Sequence, residues 1–196
     1  MNRVMVAAIS CLISAAALFF TSPAFSDALG RDTSPWSWLG AHGGTYWYVP
    51  TENLQAIKWD TSAPSAYVSI RDQTVWHIAN FDNGYFFGPL VVQFEGYPRL
   101  CQYMVGSVTP EGRVYISFNS VQVVPVGNPS ITTGTGAMVW QRGGWTFNMQ
   151  MASGSSSTQV AHWAFMHQCT ADQPCWKHLP GTTQSLPEFL GECGYN

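Results

Sequence analysis

Between Thr74 and Phe94 the chain is rich in aromatic and β-branched residues. The run is interrupted only by Asp82-Asn83-Gly84. Asn and Gly tolerate the positive φ angles of a two-residue turn, so the stretch predicts a β-hairpin. The same pattern recurs downstream. Tyr103–Val108 and Val114–Ser120 flank Thr109-Pro110-Glu111-Gly112, where proline second and glycine fourth fit a type I turn. In the second arm Val114, Ile116 and Phe118 share one face, while Arg113, Tyr115, Ser117 and Asn119 take the other. Ile131–Trp140 and Trp145–Met151 make a further hairpin across Gln141-Arg142-Gly143-Gly144, with Trp145, Phe147, Met149 and Met151 aligned.

The rest follows the same logic. Trp36 and Trp38 lead through Gly43-Gly44 into a first strand, Thr45–Val49, and Leu54–Trp59 is a short second one. A third segment covers Ala66–Ile70, with Arg71-Asp72-Gln73 read as a break before the hairpin. Val121–Pro129 is a connection, and Ser153–Ser157 a serine-rich loop before a last strand, Gln159–Gln168. In the tail, Ser185-Leu186-Pro187-Glu188-Phe189-Leu190 reads as a short helical turn with a serine cap and an early proline. Nine or ten short strands without a long helical period predict an all-β, antiparallel fold. Short connections favour a closed up-and-down β-barrel, with a β-sandwich or jelly roll as the alternative. Closure also removes the exposed edges of such apolar strands.

Residues 1–26 carry Arg3, an apolar run from Val4 to Phe20, the helix breaker Ser22-Pro23, and small residues before Asp27. That is the layout of a cleavable signal peptide, with an uncleaved anchor as the alternative. Removing 26 of the 196 residues leaves 170, expected to form a single domain, 27–196. Without Arg3, seven basic residues face 11 acidic ones. No basic cluster occurs, so neither nucleic acid nor an anionic membrane is expected as a partner. A periplasmic or extracellular location follows from the leader, with no membrane span after its removal.

Four cysteines then remain, an even number for an exported chain, which implies two disulfides in one of three pairings. The expected pairs are Cys169 with Cys175, closing a turn, and Cys101 with Cys193, pinning the tail to the barrel.

Gly44-Thr45-Tyr46-Trp47-Tyr48 resembles the glycine-x-tryptophan opening strand of the calycin barrels, the lipocalin and avidin types, displaced by one residue from the lipocalin form. The resemblance implies a barrel with a tryptophan closing one end. It assigns no function.

Candidate chemistry is sparse. His162 and His167 are five apart on one strand and so face opposite sides. No metal-binding motif occurs, and neither metal nor cofactor is expected. Of the five histidines, His77 and His162 are the candidates for acid–base work, set against a structural role at the edge of the core. No nucleophile elbow or phosphate loop is present. Asp60, Asp72, Asp82, Glu95 and Glu111 read mostly as solvated turn residues. Aromatics make up 14% of the chain and charged residues 10%. The positive lead is therefore a pocket lined by Trp76, His77, Tyr85, Tyr115, Trp145 and Trp163, taking a small apolar or aromatic ligand without catalysis. A barrel enzyme and a carbohydrate- or protein-binding module with surface aromatics are the alternatives.

Overall fold

The computed structural model describes residues 35–51, 53–60, 62–120, 131–154 and 157–195. Residues 1–34, which include the expected signal peptide, and the expected connection Val121–Pro129 lie outside them. Ten strands form one antiparallel sheet closed into an eight-stave barrel. Two staves are split: β1 (Thr45–Tyr48) with β2 (Asn53–Asp60), and β3 (Ala63–Ile78) with β4 (Asn80–Asp82). The others are β5 (Tyr85–Phe94), β6 (Leu100–Val108), β7 (Arg113–Ser120), β8 (Ile131–Gln141), β9 (Gly144–Gly154) and β10 (Thr158–Cys169). Each stave pairs with the next in sequence, and β10 closes the ring on β2 through His162↔Ala56 and on β1 through Tyr46↔Cys169.

Turn chemistry sets the register. Asp82 pairs with Tyr85 across Asn83 and Gly84, at φ 48° and 83°. Gln141 pairs with Gly144 across Arg142 and Gly143, again both at positive φ. These are two-residue turns whose twist matches that of the strands they join. The period-2 pattern then decides what is inside. Val114, Ile116, Phe118, Phe147, Met149 and Met151 are all buried, and Tyr115 between them is exposed.

One expected break is absent. β3 runs without interruption from Ala63 to Ile78, so Arg71-Asp72-Gln73 is strand, and Asp72 shares the inward face of Thr74 and Trp76. Asp72 is buried rather than solvated. The real interruption lies in the neighbouring stave, between Tyr48 and Asn53. There β10 meets β2 up to His162 and β1 only from His167. The Gln73 amide replaces part of the missing ladder: its Oε1 accepts from Val49 N (3.2 Å), and its Nε2 donates to Val49 O (3.1 Å).

The barrel has one plugged end. A 3-10 stretch, Ser37–Gly43, brings Trp36 and Trp38 against Trp145 and Trp47, with ring centroids 4.9–6.3 Å apart. Trp36 Nε1 donates to Thr109 O at 2.9 Å, tying the plug to the β6–β7 turn. Trp47 is fully buried there and donates to Thr45 Oγ1.

The tail packs on the outside of the wall. A one-turn helix, α1 (Pro174–Lys177), which the sequence did not announce, precedes the expected one, α2 (Leu186–Gly191). Ser185 and Glu188 form a capping box at the start of α2. Leu186, Phe189 and Leu190 cover the outward Val75 and Val91. The Cys101–Cys193 and Cys169–Cys175 pairs, at Cα separations of 5.7 and 6.1 Å, hold this cap in place.

Candidate functional site

Away from the plugged end the barrel encloses a cavity of about 280 Å³. Small residues, Ala164 and Gly154, are part of its lining. The walls are Trp76, Leu90, Val92, Phe94, Phe118 and Met166, an apolar and aromatic lining. Polarity comes from Asp72 and Thr74 of β3, Gln102 of β6 and His162 of β10, with the hydroxyls of Thr132, Ser153 and Thr158 toward one rim.

Asp72 is 8% exposed, and its Oδ1 accepts from Thr74 Oγ1 at 3.0 Å. Burial pushes its carboxyl up to about 7, with the threonine hydroxyl pulling the other way. No ion pair among the described residues includes it. Its place beside the split stave has a further consequence. Val49, Asp72 and Ala164 line both the cavity and a groove on the outer surface, so the wall is thin there.

His162 presents the opposite case. Burial lowers its imidazole to about 4, leaving it neutral at physiological pH. Its Nδ1 is buried without a hydrogen-bond partner, as is Nε1 of Trp76, which is only 2% exposed. A buried donor or acceptor without a partner costs roughly 1–3 kcal/mol. Two of them on one cavity wall are groups that a ligand can satisfy.

The aromatic and histidine candidates separate into four places. Trp76 and His162 line the cavity. Trp145 points inward but belongs to the tryptophan plug. Tyr115 and Trp163 point outward, where they share a shallow surface groove of about 590 Å³ with Tyr67, Gln55, Gln150 and Thr135. Tyr85, 63% exposed, stands on the outer face beside the β4–β5 turn.

His77 is also outside. Its ring stacks on Tyr46 at 4.3 Å, and Nε2 donates to Gly43 O at 2.9 Å. It lines neither the interior cavity nor the outer groove of Tyr115 and Trp163. His167 faces outward too, as its spacing from His162 requires, and burial followed by the charge of Arg142 holds its imidazole below the usual range. No group of three metal-ligating side chains gathers among the described residues.

Asp72 is the residue that sequence reasoning missed. The signal was present: counting back by twos from Ile78 through Trp76 and Thr74 reaches Asp72, then Ile70 and Val68. The charged triplet Arg71-Asp72-Gln73 hid it, because polar residues together read as a turn. No family model, no curated protein and no solved structure matches this chain.

Proposed function

We propose that the protein binds a small, largely apolar molecule inside the barrel and does no chemistry on it. The observation that carries this reading is the 280 Å³ cavity, apolar over most of its wall, with a few convergent polar groups. A cavity of about 150 Å³ holds benzene, so this one suits a ligand of about ten non-hydrogen atoms. Trp76 and Phe118, with ring centroids 5.5 Å apart, supply flat walls, and Met151 and Met166 adapt to shape. The two disulfides support a non-reducing, exported setting, in keeping with the leader.

The test is saturable, one-to-one binding of apolar probes, read from tryptophan emission and by calorimetry. Ala164→Phe fills the cavity and is expected to abolish binding. Failure of every probe in a broad apolar panel overturns the reading, and so does a folded Ala164→Phe protein that binds as well as wild type.

A second reading rests on the outer groove. Tyr67, Tyr115 and Trp163 are 69%, 57% and 52% exposed, beside amide and hydroxyl side chains. Such a surface suits a glycan or a peptide. Trp163→Ala separates the two: it removes binding by a surface module and leaves binding by the interior intact.

A further inference from the structure

We propose that the ligand of the barrel is a small amphipathic cation, an organic amine whose ammonium group pairs with Asp72 while its apolar part fills the aromatic cavity. This rests on the interior-binding reading and narrows it to a chemical class.

The charges at Asp72 are out of balance. An ionisable group taken out of water either stays uncharged or, to be ionised, needs a partner of opposite sign, because neither a hydroxyl nor an apolar wall replaces its hydration. Asp72 has a single hydroxyl, Thr74, and no cation. The titratable groups around it are few. Among the described residues that line the cavity, the one other titratable side chain is His162 of β10, which is neutral. Across the thin wall lie Arg142 and His167, on the outer groove. Arg71, its neighbour on β3, is 3.7 Å from Glu95 on the outer surface, and Phe94, opposite on β5, carries no charge. The compensating charge is therefore left to the ligand.

The rings and acceptors of the lining agree with a cation, while the unpartnered Trp76 Nε1–H, a donor, gains nothing from an ammonium. Trp76, Phe94 and Phe118 line the cavity, and aromatic rings attract a desolvated ammonium that reaches their faces. An ammonium is a donor only, and Asp72 and the Gln102 amide oxygen are acceptors on the same cavity. A neutral hydrogen-bonding ligand would be served as well by asparagine at position 72, without the cost of burying a carboxyl.

A pH dependence follows, with a definite sign. The carboxyl of the free protein titrates at about 7, and pairing with an ammonium favours its ionised form. Binding therefore expels a proton, and affinity for an amine falls on acidification. Between pH 8 and pH 6 the fall is about tenfold, one factor of ten for each pH unit below the titration point. An alcohol of the same length shows no such change.

The experiment compares octylamine with 1-octanol by calorimetry on the full mature protein. Octylammonium stays charged from pH 6 to pH 8, so any change comes from the protein. At pH 8 wild type is expected to bind the amine at least tenfold more tightly than the alcohol, and in Asp72→Asn that ratio falls to about one. The pH arm uses wild type alone, so it decides the matter even if the variant does not fold. Equal affinity for amine and alcohol at pH 8 overturns the proposal, as does an amine affinity unchanged between pH 6 and pH 8. In both cases alcohol binding leaves the interior-binding reading standing. Binding of neither probe removes both.

Discussion

Asp72 and His162 make the stability of the barrel depend on pH in opposite directions, and single substitutions separate the two effects. For Asp72 the ordinary value is 3.8 and burial raises it to about 7. Between those values the unfolded chain has lost the proton and the folded chain keeps it. Stability therefore falls as pH rises, by about 1.4 kcal/mol per pH unit and about 4 kcal/mol in all. His162 moves from 6.5 down to about 4. There the unfolded chain holds the proton and the folded one does not, so stability rises with pH between 4 and 6.5, by roughly 3 kcal/mol. The two slopes nearly cancel in their shared window. Other carboxylates, such as Asp60 and Glu188, are held below their ordinary range by hydrogen bonds and add a background common to every variant. The quantity to read is thus the difference between variant and wild type. Urea unfolding, followed by tryptophan emission with the disulfides intact, is run from pH 4 to pH 8. Asp72→Asn is expected to gain on wild type steadily, from near zero at pH 4 to ~4 kcal/mol at pH 7.5. His162→Gln gains only on acidification below pH 6.5. A constant Asp72→Asn difference across the whole range refutes the reasoning, because a carboxyl in water would give that result.

Other expectations are simpler to check. A Cβ on Gly88 would stand 1.9 Å from the His77 carbonyl oxygen, so Gly88→Ala is expected to destabilise by at least about 3 kcal/mol, the upper part of the overpacking range; an unchanged urea midpoint contradicts it. Cys101–Cys193 spans 92 residues and Cys169–Cys175 spans 6. Chain entropy makes the first bridge worth about 4.6 kcal/mol and the second about 2.2 kcal/mol, so replacing the long-range pair by alanine lowers the urea midpoint about twice as much as replacing the short one. Ser185→Ala removes the capping box of α2 and costs about 1 kcal/mol, seen as faster amide exchange at residues 186–191.

What the sequence revealed, and what it concealed, divides along physical lines. Hairpins were legible wherever turn chemistry and alternation agreed, as at Asn83-Gly84 and along Val114–Phe118, because both signals are local. The α2 cap was legible for the same reason: Ser185, Pro187 and Glu188 are neighbours. Closure of the barrel was inferable only from the shortness of the connections, and the tryptophan plug hardly at all. Trp36, Trp38, Trp47 and Trp145 meet through packing across the barrel, and nothing local distinguishes Trp145 from the outward-facing Trp163. Face assignment was the weak step. Period 2 groups His77 with Val75 but does not say which group is inside. In fact both faces of β3 are buried here, one by the cavity side and the other by α2.

That second covering explains how the barrel tolerates Asp72 and His162 at all. Both are ionisable groups on an interior face otherwise made of apolar residues and uncharged polar ones such as Thr74 and Gln102. At neutral pH the ionised Asp72 opposes folding by about 4 kcal/mol, a large share of the 5–15 kcal/mol that holds a typical domain together. The compensation lies on the opposite surface of the same strand. Gln73, adjacent to Asp72, is bonded to Val49 and to Pro180 of the tail, and Val75 is sealed by Phe189 and Leu190. The disulfides fasten that tail to β6 and β10. The strand is thus clamped from outside where it is electrostatically unfavourable inside. Residues that break a fold's own rule and persist are expected at binding sites. An ammonium ligand at Asp72 would supply the missing charge and stabilise the native state by mass action. On this account octylamine raises the melting temperature of wild type above pH 7 by more than 1-octanol does, and raises that of Asp72→Asn no more than the alcohol does.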